Sequence, residues 1–140
     1  MLWSYEAQAF KAFEIVIADD GSKQPTFDVL ERLRKDLSYT IIHVWQEDQG
    51  FQKSQILNKA ILKMASDYLI FTDGDCIPRN DFVETHLKLR KPKTFLSGGY
   101  FKLPQQISNA ISKEDIEKYN CFHLNWLLER GLKKYLKRIS

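Results

Sequence analysis

Asp73 and Asp75, with Gly74 between them, have the types and the spacing to do chemistry. Two like charges this close repel unless a cation or a shared proton offsets them. For carboxylates at i and i+2 on a loop, the simplest offset is a hard divalent cation, Mg²⁺ or Mn²⁺. The pair follows Tyr68-Leu69-Ile70-Phe71, an apolar run of strand formers. A strand ending in this turn would set both acids at the carboxyl edge of a sheet, where open α/β folds bind ligands. The plainer alternative is a solvated acidic turn.

A second acidic turn, Asp19-Asp20-Gly21-Ser22, follows a second apolar run around Ile15-Val16-Ile17. In a parallel sheet both turns open on one edge. Four carboxylates in a crevice repel a bare anion but suit a nucleotide with a bridging metal. One acid would read a base N–H or ribose hydroxyls, and another would hold the cation on the phosphates. Asp48 and Lys53 lie in the polar loop Glu47-Asp48-Gln49-Gly50-Phe51-Gln52-Lys53. Lys53 and the start of the helix behind it would offset phosphate charge.

Alternating patterns supply the elements that position these turns. Helices are expected over residues 2–12, from Pro25 onward with Leu30, Leu33 and Leu37 on one face, and over 54–65 with Ile56, Leu57, Ala60, Ile61 and Met64 inward. Another runs from an Asn80 cap to Pro92. Strands are expected at 13–18, 40–45, 68–71, 94–97 and 100–103. Ser112 and Asp115 resemble a capping box. The alternation predicts an α/β fold: a mostly parallel sheet flanked by helices, with a helical C-terminal tail. Residues 1–104 form the core on this pattern, and 105–140 a helical, basic segment of the same domain.

A chain of 140 residues is one domain and buries roughly 70% of its unfolded surface. A net charge of +3 is too mild to indicate nucleic acid. Cys76 and Cys121, with no CxxC spacing, fit a reducing compartment and no zinc site. No apolar run reaches the length of a membrane span, so a cytoplasmic location is expected. Lys133, Lys134, Lys137 and Arg138 leave association with the inner membrane face open. His43, His86 and His123 lack metal-ligand spacing and read as core or surface residues. Trp126, Leu127 and Leu128, with Leu124, Leu132, Tyr135 and Leu136, read as a packing face.

Three stretches together carry a resemblance. They are Phe13-Glu14-Ile15-Val16-Ile17-Ala18-Asp19-Asp20-Gly21-Ser22, then Gln46 to Lys53 followed by Ile56-Leu57-Asn58-Lys59-Ala60-Ile61, then Tyr68 to Pro78. In this order and spacing they resemble the successive motifs of family 2 glycosyltransferases of the GT-A fold, over residues 5 to 103. The resemblance implies an enzyme that transfers a sugar from a UDP-sugar donor to a hydroxyl of a carbohydrate or glycan acceptor, with inversion. It implies that Asp19 or Asp20 contacts the base, that Asp73 contacts the ribose or donor sugar, and that Asp75 holds Mn²⁺ or Mg²⁺. Asp48 and Lys53 would line the donor pocket.

Two departures qualify it. The strand that opens the family pattern, with its Thr-Tyr-Asn-like turn, has no counterpart. No general base is evident either, because Lys113-Glu114-Asp115 lacks the glycines that precede the family's Gly-Glu-Asp-like motif. The expectation is a donor-binding part cut at both ends, with an exposed sheet edge open to homodimer formation. Two other readings stand beside it. One is a module that binds the nucleotide sugar without turnover. The other is a phosphatase of the haloacid-dehalogenase type, with Asp73 as nucleophile and Asp75 as acid–base.

Overall fold

The computed structural model describes residues 1–132. They form two compact units: Lys11–Phe71, and Met1–Phe10 together with the chain from Thr72 onward.

The first unit is a βαβ arrangement followed by a helix. Strands β1 (Glu14–Asp20) and β2 (Thr40–Gln46) pair in parallel, in register from Glu14 opposite Thr40 to Asp20 opposite Gln46. Helix α2 (Gln24–Asp36) connects them. Pro25 sits in its first turn, where no intrahelical partner is needed, and Arg34 and Lys35 sit near its negative end. Helix α3 (Lys53–Ile61) follows β2.

Side chains alternate across a strand, so each helix declares its face. Phe27 of α2 packs at a tilt against His43 and edge-on against Trp45, at ring-centroid distances of 4.7 and 6.0 Å. These odd positions of β2 share their face with Asp19. Helix α3 is tied to the even face: the N–H of its N-cap residue Gln52 donates to Asp20, and the N–H of Ala65, beyond its end, donates to Glu14. Leu30, Ile41, Ile56 and Ala60 are buried. Burying each larger side chain contributes roughly 1.5–3 kcal/mol.

The second unit begins with α1 (Leu2–Glu6), shorter than the expected 2–12. Gln8, 1% exposed, lies two residues beyond the end of α1. Its Nε2 donates to the carbonyls of Ser4 and Arg79, and its Oε1 accepts from the Val83 N–H. Val83 lies in the first turn of α4 (Phe82–Leu89), so Gln8 satisfies an orphan helix donor from elsewhere in the chain. The N-cap position is Asp81 rather than the expected Asn80. Asn80 instead gives its carbonyl to the Ala9 N–H at 2.8 Å.

Beyond α4 lie α5 (Gln105–Ser108), α6 (Lys113–Glu117), a 3-10 turn (Asn120–Phe122) and α7 (Leu124–Glu129). Their core is Ile107, Ile116, Cys121, Trp126, Leu127 and Leu132. This bears out the packing face, except that Leu124 is exposed. Tyr135 and Leu136 of that face, and Lys133, Lys134, Lys137 and Arg138, lie outside the described residues.

The α/β class with a parallel sheet and flanking helices holds. Among the described residues the sheet has two strands, and the expected strands at 68–71, 94–97 and 100–103 do not form. A strand exists by pairing, and strand-forming side chains alone do not supply the partner. Asp73-Gly74-Asp75 therefore does not end a strand. The boundary between the two units falls just before it, between Phe71 and Thr72.

Candidate donor site

The carboxyl ends of β1 and β2 carry a dense polar network. It begins with Asp19, 5% exposed on the face covered by Phe27. Its Oδ1 accepts the Ser22 N–H at 2.9 Å, and its Oδ2 lies 2.7 Å from His43 Nε2. The register explains the second contact. His43 pairs with Ile17, two places before Asp19, so the two side chains are diagonal neighbours on one face. Burial pushes the Asp19 carboxyl up, but hydrogen bonds from Ser22 and His43 outweigh it and leave the group below its ordinary range. The Trp45 indole N–H donates to the Ser22 carbonyl at 2.9 Å and closes the turn.

On the opposite face Asp20 stands directly across from Gln46. Gln46 Nε2 donates to Asp20 Oδ1 at 2.6 Å, and the Gln52 N–H donates to Asp20 Oδ2 at 2.8 Å. Asp20 thereby joins β1, β2 and the start of α3. Gln46 Oε1 is buried without a partner among the described residues.

Gly21 fixes the loop against this turn. Its φ is +94°, and a Cβ built on it would lie 2.5 Å from Asp48 Cβ and 2.7 Å from Asp48 Cα. Only glycine allows both the backbone conformation and the approach. Asp48 is exposed, and its Oδ1 accepts the Gly50 N–H at 3.1 Å, an Asx-type turn with Gly50 at φ +85°. Lys53 is the first residue of α3 and is exposed. The fold thus brings Asp19, Asp20 and Asp48 to one sheet edge, with Lys53 at the helix start beside them.

Asp73 and Asp75 lie in the other unit, on an exposed turn closed by the Cys76 N–H donating to the Asp73 carbonyl at 3.2 Å. The buried Tyr5 of α1 reaches the preceding Thr72: burial pushes its phenol up, and a hydrogen bond with Thr72 pulls it back in part. Cys76 is partly buried. Among the described residues no group of three or more His, Cys, Asp or Glu side chains forms a ready-made metal cage.

Asp115 takes a structural role. Ser112 donates to its Oδ2 through both N–H and Oγ, and Asn120 Nδ2 and Trp126 Nε1 donate to its Oδ1, each at 3.0 Å. The reciprocal Asp115 N–H to Ser112 Oγ bond completes the expected capping box. The Ser112 side chain and Asn120 do most to hold its carboxyl down, at about 2.

Sequence reasoning missed His43, Gln46 and Gln52. Residue type gave no sign of them. Aligning the strands in parallel would have, since that register alone sets Gln46 opposite Asp20 and His43 near Asp19.

The chain is similar in sequence to several known proteins. The Bacillus subtilis protein named uncharacterized glycosyltransferase YfnE is 32% identical over 76 residues, 54% of this chain. A Pasteurella multocida chondroitin synthase is 31% identical over 75 residues, also 54% of the chain. A Methanococcus voltae dolichyl N-acetyl-alpha-D-glucosaminyl phosphate 3-beta-D-2,3-diacetamido-2,3-dideoxy-beta-D-glucuronosyltransferase is 26% identical over 118 residues, 79% of the chain. The matched stretches are 19%, 8% and 36% of those proteins' own lengths, so the chain spans well under half of each. No solved structure is a significant match. Residues 1–107 match the description Glycosyl transferase family 2, and the chain belongs to that family.

Proposed function

We propose that this chain is the donor-binding part of a sugar transferase that takes a UDP-sugar and passes the sugar to a carbohydrate hydroxyl with inversion. One observation carries the reading: Asp20 locks the Asp19-Asp20-Gly21-Ser22 turn and the Gln46 to Lys53 loop into one rigid edge at the carboxyl ends of two parallel strands. That edge is where α/β sheets hold nucleotides. Asp20 and Asp48 are the accessible acceptors for base N–H or ribose hydroxyl groups, and Asp19 holds the turn from beneath. Lys53 and the first turn of α3 supply positive charge for the phosphates.

Asp73 and Asp75 fit a divalent ion. They offer hard oxygens on an exposed turn, and Mg²⁺ or Mn²⁺ is commonly held by one or two carboxylates, with phosphate and water completing the shell. When bound, the ion supplies Lewis-acid stabilisation of the leaving diphosphate. In the transfer itself the acceptor oxygen bonds to the anomeric carbon as the sugar–phosphate bond breaks. The electron pair leaves on UDP, and the acceptor proton passes to a base. No residue of this chain is assigned as that base. Use of a nucleotide sugar fits a cytoplasmic location.

A second reading is a module that binds the nucleotide sugar without turnover. It is favoured by Asp115, the nearest sequence candidate for a base, whose oxygens are engaged by four donors. The phosphatase reading is abandoned in view of the family match. Thermal shift with UDP and Mn²⁺ is the first test, since a ligand bound only by the folded state raises Tm. A rise that Asp75→Ala abolishes supports the donor site, and no rise at any UDP concentration rejects it. Metal-dependent release of UDP from UDP-sugars then favours the enzyme over the module.

A further inference from the structure

We infer that Phe51 is the stacking platform for the donor's nucleobase, an inference that rests on the donor-site reading above. Phe51 is 91% exposed. A scattered exposed aromatic would need no explanation, but this one sits on a loop pinned on both sides. Before it, the Asp48 backbone presses on Gly21 at a distance no side chain would permit, and Asp48 Oδ1 turns the chain through the Gly50 N–H. After it, the peptide that joins Phe51 to Gln52 donates its N–H to Asp20 Oδ2 at 2.8 Å. The ring is thus held out from a rigid loop whose own backbone is bonded to the acidic turn.

Such a mount fits a flat ring. A nucleobase presents a π-face to the phenyl ring and N–H edges to the carboxylates beside it, Asp20 and Asp48. Base–aromatic stacking tolerates any base, so Phe51 would contribute affinity while the acids choose among bases. A helix start beginning at Lys53, two residues on, suits the phosphates of the same ligand. The loop therefore combines a stacking face, an acceptor edge and a positive helix end within Asp48 to Lys53.

Calorimetry with UDP and Mn²⁺ on the whole chain tests this, using Phe51→Ala, Phe51→Trp and pyrophosphate as a probe without a base. Phe51 contributes little to the core, so Phe51→Ala is expected to keep the wild-type Tm in the absence of ligand. It should bind UDP about tenfold more weakly and pyrophosphate unchanged. Phe51→Trp should restore UDP affinity, and its added indole emission should be quenched on saturation with UDP. An unchanged UDP affinity in Phe51→Ala overturns the stacking role while leaving the donor site in place. Equal weakening toward UDP and pyrophosphate also overturns it, because the loss would then be one of loop geometry. A loss seen with a UDP-sugar and not with UDP would assign the ring to the sugar and overturn base stacking. Failure of the wild-type chain to bind UDP, CDP, GDP or ADP would overturn the donor-site reading, and the stacking role with it.

Discussion

Gln46 Nε2 donates to Asp20 Oδ1 across the end of the parallel β1–β2 pair, and the oxygen of the same amide, Oε1, is buried with no partner among the described residues. The residue is therefore a donor to Asp20 at the cost of an orphan acceptor, which is worth about 1–3 kcal/mol. Substitutions should separate the two effects. Gln46→Leu removes the orphan and keeps the volume, so its stability loss should be small, under about 1 kcal/mol, even though Asp20 loses a donor. Gln46→Glu sets a second carboxylate against Asp20 and should be the least stable variant at pH 7. Proton uptake by the crowded pair should then restore part of that stability as pH falls. Urea denaturation at pH 7 and pH 5 checks the order, which is wrong if Gln46→Leu proves less stable than Gln46→Glu.

Gly21 carries two constraints at once, a φ of +94° and the Asp48 backbone where a Cβ would lie. Alanine meets both. The left-handed backbone costs roughly 1–2 kcal/mol and the forced separation from Asp48 roughly 1–3 kcal/mol. Gly21→Ala should therefore lose about 2–5 kcal/mol in urea denaturation, or shed the Asp48 contact and with it UDP affinity. Gly50 has a similar φ of +85° but open space around it. Gly50→Ala should accordingly lose only the backbone part. Equal losses for the two variants would mean that the Asp48 contact carries no weight.

Asp115 accepts from Ser112, Asn120 and Trp126 inside the α6–α7 core, and its carboxyl is drawn down from the ordinary 3.8 to about 2. A depressed acid stabilises the fold above its unfolded value. That contribution is complete above about pH 4 and is lost as pH falls toward 2. Asp115→Asn should cost about 1–3 kcal/mol at pH 7, because the amide cannot accept as a charged group does. The gap between wild type and variant should narrow below about pH 4 and close as pH falls through about 2. A gap that stays constant across this range would show that the charge of Asp115 does not matter.

The parts that the sequence made legible are those governed by local pattern. Ile15-Val16-Ile17 and the β2 run became strands, Leu30 and Ile56 became buried helix positions, and Ser112 with Asp115 became a capping box. Each depends on residues within a few places of one another. The run Tyr68-Leu69-Ile70-Phe71 has the same local signature as Ile15-Val16-Ile17 yet forms no strand, because pairing depends on a distant partner that no local pattern names. Gln8 illustrates the converse. No local pattern in residues 2–12 marks this glutamine for burial, and its three bonds to Ser4, Arg79 and Val83 bury it. At the site, Asp19, Asp20, Asp48 and Lys53 were visible as residue types. Which of the two aspartates is buried and which ties the loop down follows only from strand register.

His43 and Asp19 offer the most direct test of how the turn is held. The contact is 2.7 Å, and both side chains are nearly excluded from solvent. Double-mutant cycles over Asp19→Asn and His43→Gln should give a coupling of about 0.5–3 kcal/mol, as expected for buried groups in one network. His43→Leu removes the donor while leaving the carboxylate buried, and should cost about 1.5–3 kcal/mol at pH 7. Because Asp19 lies below its ordinary range in the folded chain, the stability it lends is present above about pH 4 and fades as pH falls through the lowered value. The penalty of His43→Leu should fade over the same interval, since a protonated Asp19 no longer needs the charge-stabilising donor. Since Asp19 also accepts from Ser22, His43→Leu should weaken UDP binding through loss of turn order, and by less than Asp20→Ala does. A coupling near zero, with a pH-independent His43→Leu penalty, would reduce the pair to a packing contact.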